Sequence, residues 1–172
     1  ASPYALQKLT SEMETKLYSD LYGIDTVTLR YFNVYSPDQK ADSPYATAVA
    51  NWMRYIREDK NPFITGDGEQ RRDMAHRDDV VLANIFAMEY EGEFAGQNFD
   101  VGTGANISLN EMKGIVHDHF PDVKFDYVDE RKGDVMVTKA NMQPLKELGW
   151  EPKVDIKQGI SKCFEILKGQ MS

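Results

Sequence analysis

Residues 24–37 read Ile24-Asp25-Thr26-Val27-Thr28-Leu29-Arg30-Tyr31-Phe32-Asn33-Val34-Tyr35-Ser36-Pro37, and their reading decides the fold. β-branched and aromatic side chains crowd Ile24 to Tyr35, so the segment is expected to be a buried strand that Pro37 ends. Upstream, Leu6, Leu9, Met13, Leu17 and Leu21 recur at spacings of three and four. That spacing puts them in one apolar stripe on a helix from Tyr4 to Tyr22. Ser2 or Pro3 can open this helix and Gly23 can stop it. A helix running straight into a strand suits a parallel sheet.

Beyond Pro37 the pattern breaks into short pieces. Ala46 to Glu58 reads as a helix with Val49, Trp52, Met53 and Ile56 on one side. Phe63-Ile64-Thr65 is a short strand, Gly66-Asp67-Gly68 a turn, and Arg72 to His76 an extended segment. Asp78 or Asp79 is expected to cap a helix through Met88. Gln97 to Val101 is strand-like. Ser108 with Glu111 three residues on forms a capping-box pattern before a helix to about Phe120. Lys124 to Val128 alternates like a strand. Asn141 to Leu148 and Asp155 to Lys168 read as helices, the second with Ile156, Ile160, Phe164 and Leu167 inward. The expected architecture is mixed α/β without repeats: one helix–strand unit of a parallel sheet, then a lobe that covers a site.

Composition narrows the classes. The chain carries 28 acidic against 20 basic residues, a formal charge of −8, which argues against a nucleic-acid partner because a phosphate backbone needs a basic face. No apolar run approaches the roughly 20 residues of a membrane span, and the opening Ala1-Ser2-Pro3-Tyr4, without a basic or apolar region, is not expected to be a signal peptide. Cys163 is the single cysteine, so neither a disulfide framework nor a cysteine metal site is expected, and a reducing cytoplasm is the simplest compartment.

Tyr4 and Lys8 stand four apart, on one face of the first helix. An ammonium beside a phenol favours the phenolate. Such a tyrosine can take a proton from an alcohol while hydride leaves the carbon. Taken alone the pair is most often chance. Tyr31 and Phe32 at a strand end are most often core. Arg71, Arg72 and Arg77 can be surface ion pairs, each contributing little. Asp78 and Asp79 look like a metal pair, but capping explains them better. His117 and His119, two apart on a helix, diverge and make a poor metal pair.

Four blocks in order change these odds. SPYALQKLTSE (2–12) and TVTLRYFNVYSP (26–37) are followed by FITGDGEQRRDMAHRDDV (63–80) and ERKGDVMVTKANMQPLKELGWEPKVDIKQGI (130–160). They resemble the SPYxxSK, LRYFNVYGP, GDGxQxRDF and RPGD…LGWxP…GI segments of the extended short-chain dehydrogenase/reductase family. Within it they look most like NAD-dependent sugar-nucleotide epimerases and dehydratases of the UDP-glucose 4-epimerase type. The resemblance implies the C-terminal portion of a Rossmann-type fold with its mixed α/β substrate-binding lobe. Residues 1–36 would end the nucleotide-binding domain. Residues 37–172 would be mainly the lobe, with segments returning to the sheet.

The resemblance also implies roles. Tyr4 would be the catalytic base and Lys8 its electrostatic partner, both also touching NAD. Tyr31 and Phe32 would lie beside the nicotinamide. Asn33 would meet the diphosphate of the nucleotide sugar, Arg72 and Arg131 would grip it, and Asp134 would meet the nucleoside ribose. A guanidinium suits a pyrophosphate because it offers a planar fork of donors. Arg71 and Arg77 are read as structural. Four positions depart from the pattern: Ser36 for glycine, Met74 for an aromatic, His76 for a β-branched residue and Asn141 for aspartate.

No GxxGxxG phosphate loop occurs in these residues, and the Ser or Thr that family members carry about two dozen residues before the tyrosine has no counterpart. The expectation is a fragment of an NAD-dependent UDP-hexose 4-epimerase that alone binds NAD poorly, turns nothing over and self-associates or forms a homodimer. The alternatives are a 4,6-dehydratase or reductase of the same family, or a non-catalytic relative that senses dinucleotide.

Overall fold

The computed structural model describes residues 3–42, 46–130 and 133–172. Helix α1 (Pro3–Tyr22) leads into strand β1 (Thr28–Tyr31), which pairs in parallel with β4 (Asn98–Val101), Thr28 opposite Asn98 and Tyr31 opposite Val101. A parallel pair needs a long crossover. Here the crossover is the segment containing α2 (Ala48–Arg57), β2 (Phe63–Thr65), β3 (Arg71–Arg72) and α3 (Arg77–Glu89). β5 (Ile107–Ser108) runs antiparallel to β3, and β6 (Asp126–Val128) parallel to β2. Helices α4 (Leu109–His119), α5 (Gln143–Glu147) and α6 (Ile156–Met171) complete the order.

Two apolar cores result. In one, Trp52, Met53 and Ile56 of α2 meet Met112 and Val116 of α4 and Ile160, Phe164 and Leu167 of α6. The inward face expected for α6 is thus buried. In the other, Phe99 and Val101 of β4 pack with Val80 and Ala83 of α3 and Leu145 of α5. The capping box at α4 is complete: Glu111 N–H donates to Ser108 Oγ at 3.0 Å, and Ser108 N–H donates to Glu111 Oε2 at 3.0 Å.

Three local expectations change. The strand expected over 24–35 is only four residues long and is half-exposed rather than buried. Asn33 ends it by adopting φ +20, a conformation no strand tolerates, and β4 is its sole partner among the described residues. Neither Asp78 nor Asp79 caps α3. His76 does, its side chain accepting the Asp78 N–H at 3.2 Å, which leaves Asp78 in an exposed ion pair with Arg77. Asp79 is buried and accepts the N–H groups of Lys153 and Val154 at 2.8 and 3.1 Å, tying α3 to the segment before α6. The apolar stripe of α1 meets no core: Leu6, Met13 and Leu21 are each more than 60% exposed.

Candidate nucleotide-sugar site

The parallel pair β1–β4 sets the site's position, because ligands of open α/β sheets bind outside the carboxyl ends of strands. Asn33 stands there, two residues past β1, and its amide donates to Asp73 O at 2.9 Å. β3 supplies the next group. Strand alternation sends Gln70 and Arg72 to one side and Arg71 to the other. Arg71 accordingly bonds Asn106 Oδ1 at 2.7 Å and Glu111 Oε2 at 2.5 Å, the structural part expected for it. Arg77 is likewise engaged by Asp38. Arg72 Nη2 donates to Asp134 Oδ1 at 2.5 Å, while Nη1 donates to Arg71 O at 3.1 Å.

Asn33, Arg72 and Asp134 line one cleft of about 230 Å³. Its polar side is extended by Asn51, Thr65 and Gln70, and its apolar wall is Trp52, Phe63, Met74, Leu109 and Met112. Gln70 is buried and held rigidly, its Nε2 donating to Thr65 O at 2.8 Å and Thr65 Oγ1 at 2.9 Å. Trp52 Nε1 donates to Phe63 O at 3.0 Å and so braces the wall. Arg131 falls outside the described residues.

The second set of candidates lies apart from that cleft. Lys8 Nζ is 5.7 Å from the Tyr4 ring centroid, one helical turn away on an exposed face of α1. Tyr31 is half exposed and donates to Asn84 Oδ1 at 2.9 Å. Phe32 is partly buried against the β4 core. Its backbone N–H donates to Val101 O at 2.9 Å and its carbonyl accepts from Ala75 N–H at 3.1 Å. Sequence reasoning missed Asn51, Trp52, Phe63 and Gln70 as lining groups. Gln70 was findable, since it lies two residues before Arg72 in an extended segment. The aromatic wall was not, because Trp52 and Phe63 look like any core residue.

His117 Nε2 lies 3.0 Å from Val123 O and His119 Nε2 2.8 Å from Ser161 Oγ, so the two rings serve different neighbours. Among the described residues no group of three or more His, Cys, Asp or Glu is placed to hold a metal ion, and no helix is long and apolar enough to cross a membrane.

A parallel strand pair with a cleft at its carboxyl end places the chain among α/β proteins, and comparison identifies the family. The chain belongs to the NAD dependent epimerase/dehydratase family, whose model matches residues 1–102. It is 33% identical over 168 residues to a putative UDP-glucose 4-epimerase of Methanocaldococcus jannaschii, covering 97% of this chain and 53% of that protein. The structure of UDP-glucose 4-epimerase from Thermotoga maritima with UDP-glucose superposes with a TM-score of 0.89 at 34% identity, over all of this chain and 55% of that one. UDP-glucuronic acid 4-epimerase from Bacillus cereus, solved with UDP-glucuronic acid and NAD, gives 0.86 at 26% identity, over 98% of this chain and 53% of that one. The chain therefore spans about half the length of the relatives it matches, and its fold is the mixed α/β C-terminal half of theirs.

The family's cofactor is NAD. The side chains present suit one end of it: Tyr4 and Lys8 form an exposed phenol–ammonium pair, and Tyr31 exposes an aromatic face near the end of β1. For the pyrophosphate of NAD, these 172 residues contain no GxxGxxG motif, and no glycine-rich loop stands at a strand–helix junction among the described residues.

Proposed function

We propose that this chain provides the substrate side of an NAD-dependent nucleotide-sugar epimerase, a 4-epimerase of a UDP-hexose. The observation that carries the reading is convergence: Asn33, Arg72 and Asp134, from three separate segments, line one cleft at the carboxyl end of a parallel strand pair. A guanidinium and an amide there suit a diphosphate, and the slot formed by Trp52, Phe63 and Met112 suits a flat, partly apolar base. Asp134 would accept a ribose hydroxyl, with Arg131 as a second cation.

Residues 1–36 form, on this reading, the end of the nucleotide-binding domain, and residues 37–172 mainly the substrate lobe. NAD, when bound, supplies the site that accepts and returns hydride at C4. Tyr4, as a phenolate stabilised by the Lys8 ammonium, takes the proton of the C4 hydroxyl on its phenol oxygen, holds it as the neutral phenol, and gives it back, which restores the phenolate. Tyr31 and Phe32 form the wall against which the nicotinamide lies. The cofactor end held by this chain is too small to bind NAD tightly on its own.

Titration of the chain with UDP and with NAD tests the reading. UDP is expected to bind, and Arg72→Gln to weaken it; NAD is expected to bind poorly. Absence of UDP binding by the folded wild-type chain would remove the substrate-side assignment. In a longer protein containing this segment, Tyr4→Phe is expected to abolish epimerisation while leaving UDP binding intact. An unchanged rate there would reject Tyr4 as the base.

A further inference from the structure

We propose that Asp134 is a placeholder for the anionic group of the substrate: its carboxylate occupies Arg72 and is exchanged for a diphosphate when ligand enters. This rests on the nucleotide-sugar reading of the cleft. Among the described lining residues only Arg72 and Asp134 are charged, and they are bonded to each other at 2.5 Å. The described part of the wall therefore presents no net positive charge to a dianion. Arg72 is mostly buried, its side chain 17% exposed against 36% for Asp134, so the pair is partly withdrawn from water and poorly screened.

The geometry suits exchange rather than permanent pairing. Nη1 of Arg72 is directed by two backbone carbonyls, Arg71 O at 3.1 Å and Met136 O at 3.4 Å, which hold the guanidinium whatever Nη2 does. Only Nη2 faces Asp134. The backbone beyond is pinned: Arg71 N–H donates to Met136 O at 2.7 Å and Thr138 N–H to Arg71 O at 3.0 Å. Gly133 on the other side has positive φ and would have open space around a Cβ. Asp134 can thus turn away without moving β3, and Arg72 stays aimed at the cleft. A carboxylate and a phosphate oxygen compete for the same donor, and a diphosphate, with more charge and more acceptors, wins it.

The experiment is calorimetric titration of the 172-residue chain with inorganic pyrophosphate and, separately, with UDP. Asp134→Asn keeps an oxygen to accept the Val135 N–H, which Asp134 Oδ1 accepts at 3.0 Å, but removes the competing charge. Asp134→Ser, able to make the same local turn, is the second variant should the first fail to fold. The expected result is pyrophosphate binding about ten-fold tighter than wild type in either variant, lost again on adding Arg72→Gln. Pyrophosphate affinity that is unchanged or weaker in the folded variants overturns the placeholder, as does tightening that survives Arg72→Gln. If wild-type UDP binding persists in that case, the nucleotide-sugar reading stands without it. If neither ligand binds any folded variant, both fall.

Discussion

The carboxylate of Asp73 accepts both the backbone N–H of Thr103, at 2.8 Å, and its hydroxyl, at 2.7 Å. The same buried side chain accepts the N–H groups of Gly104 and Ala140, each at 2.9 Å. One residue after Arg72, it therefore ties β3 to the turn after β4 and to the segment before α5. Asp73→Ala would strand three buried or half-buried backbone donors, those of Thr103, Gly104 and Ala140. It should cost on the order of 3 kcal/mol or more, since each unsatisfied group costs about 1–3. Urea unfolding followed by tryptophan fluorescence measures this.

Tyr35 predicts an effect of the opposite sign. It is buried and its hydroxyl has no hydrogen-bond partner among the described residues; burial pushes its phenol pKa up. Tyr35→Phe should be neutral or should stabilise the fold by up to about 1 kcal/mol. Gly159→Ala should destabilise, by roughly 1–3 kcal/mol, because the added methyl would lie 2.1 Å from that hydroxyl oxygen. A measured loss of stability in Tyr35→Phe would contradict the first.

Acid should weaken the α4 cap. The Glu111 carboxyl is held down to about 2, chiefly by the Ser108 N–H, with Lys157 and Arg71 helping. A depressed native pKa gives stability that is present above the ordinary value of 4.5 and disappears as pH falls toward about 2. Glu111→Gln should flatten the pH dependence of unfolding in that window. Its stability should fall less steeply than that of the wild type there, the remaining slope coming from other carboxyls held low by ion pairs, such as Asp38 beside Arg77 and Glu12 beside Arg30.

Salt should separate the two kinds of contact in the cleft. Arg72→Gln is expected to weaken UDP by roughly ten-fold or more, the value of about 1.5–3 kcal/mol for a hydrogen bond to a charged group. Met112→Ala, on the apolar wall, should weaken UDP without altering the salt dependence of its binding. Titrations at low and high ionic strength give both slopes.

The bare face of α1 should drive association. Leu6, Leu9, Met13, Leu17 and Leu21 are all at least half exposed, an apolar stripe along twenty residues. Sedimentation of the chain is expected to show mass rising with concentration. Leu6→Lys with Leu17→Lys, three turns apart on one face, is expected to return it toward the monomer.

Much of this protein is legible in one dimension. Helix α1, the box at Ser108 and Glu111, and the inward face of α6 follow from spacing and capping chemistry, which act over a few residues. The family follows from four short blocks, because their residue types recur in a fixed order along the chain and can be read without knowing what packs against what. Tertiary structure decided the remainder. Only the fold shows that β1 is short, stopped by the positive φ of Asn33, and that His76 rather than an aspartate caps α3. Only the fold brings Trp52 and Phe63 to face Arg72, and only it pairs that arginine with Asp134, 62 residues away. Such contacts depend on which surfaces pack together, and that depends on the whole chain at once rather than on any local stretch of it.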